Sequence, residues 1–317
     1  MSTFPGARIS GIGAYRPETV VTNAEISRRA NVSDEWISSR SGVKERRHAT
    51  DQESLPTMAA RAGRAALADA GVSPQDVDLL IVATATHQRP MPAVAPQAAH
   101  ALGCERAGTF DLNAACAGFT YALTTASSLV RTRAARTALV VGAERLTDWT
   151  SPAVTDTFAI MADGAGAVVV EGSGQDDIRP VVWGNDGGRA DYIEMPDDDA
   201  APEVRMRGPL VYKWAVEALP DVARRACDAA GVALEDISWL VPHQANVRIL
   251  DTVAASLGIP SERVARDLSR TGNTSSASIP LALSALREQG HARDGEYVLL
   301  LGFGAGLTYS GLVVRMP

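Results

Sequence analysis

Three residues could together serve nucleophilic chemistry: Cys116 in "DLNAACAGFTYAL", His243 in "VPHQANVRI" and Asn273 in "RTGNTSSAS". Cys116 stands where a helix is expected to begin, so unpaired backbone N–H groups and the helix dipole favour its thiolate and should lower the thiol pKa. That describes a nucleophile. The small neighbours Ala114, Ala115, Ala117 and Gly118 let a backbone or a thin substrate come close. A single cysteine in an Ala-rich helix also reads as a buried inert thiol, and Cys104 and Cys227 are given that reading. His243 follows the apolar run "SWLV" and Pro242, at a strand end where binding groups gather in α/β folds. Taken alone it could be structural, and Asn273 alone reads as a turn residue before a helix cap.

The elements that must carry these residues repeat. "RAGRAALADAGVSPQDVDLLIVATAT", 61–86, aligns without gaps to "DVARRACDAAGVALEDISWLVPHQAN", 221–246. Each copy reads as an amphipathic Ala-rich helix, a Gly-Val stop, a polar turn holding Asp76 or Asp236, and a short apolar strand. An Asp-Leu pair follows each, Asp111-Leu112 and Asp267-Leu268, and then a helix and the strands "TALVVGA" and "YVLLLGF". Two similar α/β halves, 1–175 with the cysteine and 176–317 with the histidine and asparagine, are the economical architecture. A pseudo-two-fold axis between them brings the loops "NAACAG", "PHQAN" and "RTGNTSSAS" to the middle of the molecule.

Composition narrows the partners. The chain has 317 residues, 46% of them hydrophobic, ample for a large core without staples. Its three cysteines form no zinc or disulfide pattern, so a reducing cytoplasm is expected. No metal site is expected either. A net charge of -7 argues against nucleic acid, and no segment approaches the ~20 apolar residues of a membrane span. "DGAGAVVVEG", 163–172, lacks the GK[ST] of a phosphate loop and runs into a strand.

The motifs "AACAGFTYAL", "VPHQANVRI", "GNTSSASIPLAL", "ADGAGAVVV" and "GFGAGLTYSGLVVRMP" resemble the β-ketoacyl-[acyl carrier protein] synthase III family, and the likeness runs from "ISGIGAYRPETVVTN" to the last strand. The resemblance implies a thiolase-like α/β fold, five layers αβαβα built from two duplicated halves and working as a homodimer. It implies a Cys116, His243, Asn273 triad. The thiol takes an acyl group from acyl-CoA, and malonyl-acyl carrier protein then loses CO₂ and condenses with it; both are substrates, and no resident cofactor is implied. Backbone N–H groups of Cys116 and Ala305 form the implied oxyanion hole, with His243 and Asn273 as neutral donors to the enolate oxygen. By the same resemblance, Trp36 and Arg40 hold the CoA head group, Arg248 and Lys213 receive the acidic carrier protein, and Met91 closes the acyl pocket of the other subunit.

Two features depart from the family pattern. Thr155 stands where an arginine commonly helps bind CoA, and the loop "ATHQRPMPAVAP" is long and carries Pro90, Pro92 and Pro96. Two other functions are weighed. One is an acyltransferase on the same scaffold that passes the acyl group to a hydroxyl or amine, which would want a base where Asn273 stands. The other is a non-catalytic subunit that selects a starter acyl group, which would not need the intact triad.

Overall fold

The computed structural model describes residues 6–195 and 203–317. Along the first part run β1 (Gly6–Tyr15), β2 (Thr19–Thr22), α1 (Asn23–Ala30), α2 (Asp34–Ser41), β3 (Glu45–His48), α3 (Leu55–Ala70), β4 (Leu79–Ala83), α4 (Val94–Leu102), β5 (Gly108–Leu112), α5 (Gly118–Arg131), β6 (Thr137–Arg145), α6 (Thr155–Phe158) and β7 (Asp163–Ser173). The second part holds β8 (Val182–Asn185), β9 (Ile193–Glu194), β10 (Arg205–Met206), α7 (Gly208–Ala230), β11 (Trp239–Pro242), α8 (Val247–Leu257), α9 (Leu268–Thr271), α10 (Ser278–Glu288), β12 (Tyr297–Gly304) and β13 (Thr308–Arg315).

One sheet has the order β1-β7-β6-β4-β5, the other β11-β12-β13-β8. Both are mixed: β4 pairs in parallel with β5 and β6, and β11 with β12, while β7 and β13 run antiparallel to their neighbours. Strand alternation sorts side chains into layers. On β6, Ala138 and Val140 face the central core, whereas Leu139, Val141 and Ala143 face an outer one with α3 and α4. On β12, Val298 and Leu300 join the central core, and Leu299, Leu301 and Phe303 face α7 and α8. The middle layer, α5 and α10, is covered on both sides; Phe119 and Leu283 are 0% exposed there. The result is the five-layer αβαβα thiolase-like arrangement.

The repeated segments show why the layers form. Helix α3 buries Leu55, Met58, Ala59, Ala62 and Ala66, one face at helical spacing, after Ser54 caps its start. Its small residues let it lie directly on β1, where a Cβ on Gly13 would fall 2.2 Å from Ala66 N. Gly71 ends α3 at φ 67°, and Gly231 ends α7 at φ 63°, the left-handed cap that glycine adopts without a Cβ clash. One-turn 3₁₀ helices, Pro74–Asp76 and Leu234–Asp236, then lead into β4 and β11.

The Asp-Leu pairs fall at nearly matching places: Thr109 pairs in parallel with Leu80 as Val264 does with Leu240, so Asp111 lies two residues and Asp267 three residues past corresponding positions. Asp111-Leu112 ends β5, whereas Asp267 precedes the one-turn helix α9. The turns that follow are again 160 residues apart, so that Asn113–Ala117 corresponds to Asn273–Ala277. Among the described residues, no helix is long and apolar enough to cross a membrane.

Candidate active site

Cys116 is the middle residue of a 3₁₀ turn, Ala115–Ala117, that precedes α5. Ala115 is held at φ 45°, and its N–H donates to Asn113 Oδ1 at 3.0 Å, a local bond that offsets the cost of the left-handed backbone. Gly304 at the end of β12 makes room for the cysteine: a Cβ there would lie 2.7 Å from Cys116 Cβ and 3.0 Å from its sulfur. The backbone N–H groups of Cys116 and Ala305 and the Ser275 hydroxyl lie around the sulfur and favour its thiolate.

The expected lowering of the thiol pKa is not what the structure gives. Cys116 keeps some accessible surface as a residue, but desolvation of the thiol pushes it up to about 11, and the nearby Glu144 carboxylate pushes the same way. The N–H groups of Cys116 and Ala305 and the Ser275 hydroxyl oppose this without overcoming it. Burial wins because the turn is tucked between the two sheets and α5 starts two residues later.

His243 follows β11, with its N–H bonded to Leu301 O at 2.8 Å and its ring edge-on to Phe303 at 5.2 Å. Its Nδ1 is 2.7 Å from Ser278 Oγ, and that hydroxyl accepts from Gln244 N at 3.2 Å. The serine hydroxyl has a proton to give as well as lone pairs, so it can donate to Nδ1 while the ring hydrogen stands on Nε2. Complete burial drives the imidazole pKa down to about 3, so the ring is neutral throughout the physiological range.

Asn273 is 4% exposed and is fixed by backbone bonds between its N–H and Ile160 O, 2.8 Å, and between Ala162 N–H and its own O, 2.9 Å. Its Oδ1 accepts from Ser275 N at 2.9 Å, which leaves the Nδ2 donor end for a ligand. His243 and Asn273 therefore present neutral donors. Neither supplies a base.

A cleft of about 410 Å³ opens beside Asn273, lined among others by Trp36, Arg40, Asp156, Tyr212, Asn246 and Arg248. Trp36 and Arg40 share a face of α2, and the guanidinium lies 4.8 Å from the ring centroid. Asn246 ties α2 to the start of α8 by donating to Arg40 O at 2.8 Å. Asp156 puts a carboxylate in the lining next to Thr155, where a cation was missed in the sequence. Cys116, His243 and Ala305 do not line this cleft, nor does Lys213, which is exposed on α7 beside Tyr212. Met91 is far from burial in the single chain, 78% exposed on a loop pinned by His87 Nε2 and Pro92 O at 2.8 Å.

Sequence reasoning missed Ser278 and Phe303, which hold His243, and Glu144. The hydroxyl-rich start of α10, "TSSAS", and a lone acid ending the apolar strand "TALVVGAE" were the signals available.

Comparison with known proteins gives a consistent picture. Residues 110–187 match the family model described as 3-oxoacyl-[acyl-carrier-protein (ACP)] synthase III, and residues 227–316 match its C-terminal model. The chain is 44% identical to a β-ketoacyl-[acyl-carrier-protein] synthase III of Streptomyces glaucescens, covering 99% of this chain and 97% of that one. It is 46% identical to the mycobacterial β-ketoacyl-[acyl-carrier-protein] synthase III of Mycobacterium tuberculosis (strain ATCC 25618 / H37Rv), over 100% of this chain and 98% of the relative. Among solved structures, the priming β-ketosynthase from the R1128 polyketide biosynthetic pathway superposes with a TM-score of 0.97 at 40% identity, covering 100% of this chain and 98% of the other. With a relative of this identity matched end to end, the chain belongs to the β-ketoacyl-[acyl carrier protein] synthase III family of enzymes.

Proposed function

We propose that this enzyme transfers an acyl group from acyl-CoA to Cys116 and condenses it, with loss of CO₂, with malonyl-acyl carrier protein to give a 3-ketoacyl-carrier product. The observation that carries the reading is the pairing of a thiol set between the Cys116 and Ala305 N–H groups with two donors that are both neutral. In the first half-reaction the sulfur attacks the thioester, the two N–H groups stabilise the tetrahedral oxyanion, and CoA leaves. In the second, Nε2–H of His243 and Nδ2–H of Asn273 donate to the malonyl thioester oxygen as CO₂ departs, and the carbanion attacks the acyl-cysteine. A carboxylate in either place would repel the enolate. A transfer to a hydroxyl or amine would want a base, and both positions withhold one.

Trp36 and Arg40 serve the CoA nucleotide by stacking and charge. Asp156, without a cation at position 155, weakens the hold on that polyanion. Arg248 in the cleft and Lys213, exposed beside Tyr212 on α7, meet the acidic carrier protein. The enzyme works in the cytoplasm as a homodimer, in which Met91 reaches the partner's acyl pocket. Methionine there fills several carbons' worth of space yet can repack, which favours donors of roughly four to eight carbons at about 0.8 kcal/mol per buried methylene. The relative named as a priming β-ketosynthase supports a starter-loading role of this kind.

The test is a two-stage assay with labelled acyl-CoA followed by malonyl-carrier. Label on Cys116 that then leaves in a condensed product with one CO₂ is the expected result. Stable label only, or transfer without CO₂, would move the assignment to a starter-selecting subunit or a simple acyltransferase.

A further inference from the structure

A buried cation lies next to the asparagine loop. Arg46, on the four-residue strand β3, is 0% exposed, whereas the other residues of that strand keep part of their surface in water. One guanidinium nitrogen donates to Asn23 Oδ1 at 2.6 Å and Ala159 O at 2.7 Å, and another donates to Val21 O at 3.1 Å. All three acceptors are neutral. Asp34, Glu25 and Glu45 favour its charge without bonding to it, and burial lowers its pKa only to about 10, so the group is cationic at neutral pH. Val21 and Ala159 belong to an apolar cluster with Ile26, Ile37, Phe158 and Leu268. A cation in that place costs stability that a well-packed apolar side chain would not.

What the guanidinium holds bears on Asn273. Ala159 begins the run 159–162, and that run carries both backbone bonds that fix the asparagine, from Asn273 N–H to Ile160 O and from Ala162 N–H to Asn273 O. Gly272, just before the asparagine, passes between this run and β3 at φ 77°; a Cβ on it would lie 2.7 Å from Ala162 Cβ and 2.8 Å from Arg46 Cβ. On the same side, Lys44 N–H donates to Ser269 O at 3.0 Å. Arg46 therefore bonds the run that fixes Asn273 and sets its own stem against the preceding glycine. The other two site residues are held elsewhere. His243 rests on Leu301 O, Ser278 and Phe303, and the Cys116 turn on Asn113 and Gly304.

We propose that Arg46 is a positioning residue for the decarboxylation step, fixing the run 159–162 so that the Nδ2 donor of Asn273 meets the malonyl thioester oxygen; this rests on the condensing-enzyme reading. It touches no substrate. A guanidinium suits the task because its planar fork reaches three acceptors in fixed directions, which the single ammonium of a lysine does not. The same anchor extends to the nucleotide cleft: Asn23 accepts from Arg46 and donates to Asp34 Oδ1 at 2.7 Å, in the first turn of α2, the helix that carries Trp36 and Arg40.

The experiment is a double-mutant cycle. Arg46→Lys and Asn273→Ala are made singly and together, and two rates are measured for each: loading of Cys116 at saturating acyl-CoA, and CO₂ release from malonyl-carrier by the acylated enzyme. Arg46→Lys is expected to load Cys116 as the wild type does and to release CO₂ roughly 10- to 10²-fold more slowly, in kcat and not in KM, as befits a misplaced group. In the Asn273→Ala background the same substitution brings no further loss, because the donor it positions is already gone. A loss of the same size in both backgrounds, or an equal loss in both half-reactions, would make Arg46 a general support of the fold and overturns the proposal. Should Arg46→Lys fail to fold, Asn23→Ala, which removes one acceptor of the guanidinium, goes through the same cycle with the same expected outcomes. A wild type that loads Cys116 and releases no CO₂ overturns the functional reading, and the positioning role with it; normal wild-type release with unaltered release by Arg46→Lys overturns the positioning role alone.

Discussion

The turns Asn113–Gly118 and Asn273–Ser278 are the same piece of structure used twice. In each, an asparagine Oδ1 accepts from the N–H two residues on, at 3.0 Å and 2.9 Å, and the residue between that asparagine's neighbour and the 3₁₀ centre has a left-handed φ, 45° at Ala115 and 47° at Ser275. Each leads into a helix of the central layer. At the centre of the first turn stands Cys116; at the centre of the second stands Ser276, bonded to Ala83 O and Glu144, both at 2.8 Å. The backbone device is therefore not what makes a nucleophile. The neighbours are: Cys116 meets Gly304 and the Ala305 N–H, while Ser276 meets an acid and a carbonyl. One copy is open to chemistry, and the other supports it.

Exchanging the central residues should break the comparison hardest. Cys116→Ser is expected to lose acyl transfer by more than about 10⁴-fold, by analogy with the loss of other catalytic nucleophiles. Ser276→Cys should gain no second acylation site, since that side chain is 1% exposed. Counting labelled acyl groups per chain checks both.

The next contrast uses glycines that let a neighbour approach each turn. A Cβ on Gly304 would meet Cys116, and one on Gly142 would lie 2.5 Å from Ser276 O. Gly304→Ala should slow acylation by roughly 10²-fold, the effect of about 1 Å of misplacement. Gly142→Ala should displace Asn273 and spare Cys116 alkylation, so that decarboxylation falls more than acylation. Equal losses in both half-reactions for both variants would mean that the turns act as one unit.

Removing a donor at a time should leave acyl loading intact and cut malonyl decarboxylation by roughly 10²-fold for His243→Ala and for Asn273→Ala. The pH dependence follows from the sign of the His243 shift. Its pKa is depressed to about 3, so the ring stays neutral above that value, and the decarboxylation rate of acylated enzyme should vary less than about twofold between pH 5 and 8 for any cause lying in His243. A limb near pH 6.5 that disappears in His243→Ala would contradict the neutral-donor account.

The smallest effect is on stability. Asn113 is exposed and Asn273 is 4% exposed, so losing the same local bond costs differently. Asn113→Ala should cost less than about 1 kcal/mol, and Asn273→Ala about 1 to 3 kcal/mol, because the Ser275 N–H is left buried without an acceptor. Urea unfolding of both variants measures the difference.

These contrasts show which parts of the protein could be read from its sequence. The layers were legible because helix stripes, the Gly71 and Gly231 stops and alternating strands encode them locally. Cys116, His243 and Asn273 were legible as groups at element ends. The thiol pKa was not, since it depends on how deeply Gly304 and the second turn bury the sulfur, and the helix-start argument treats only the local dipole. Glu144 hid at the end of an apolar strand, where an acid is ordinarily exposed; its contacts come from 84–86 and 275–276, far away in the chain.

The central claim is that the first turn alone carries the acyl group and the second helps to consume it. Peptide mapping by mass spectrometry, after mixing with a short-chain acyl-CoA and again after adding malonyl-carrier, tests it directly. The account predicts one acyl adduct, on the peptide holding Cys116, that disappears as CO₂ and a 3-ketoacyl-carrier form in equal amounts. An adduct on another residue, or one on Cys116 that persists while the condensed product accumulates, would contradict it.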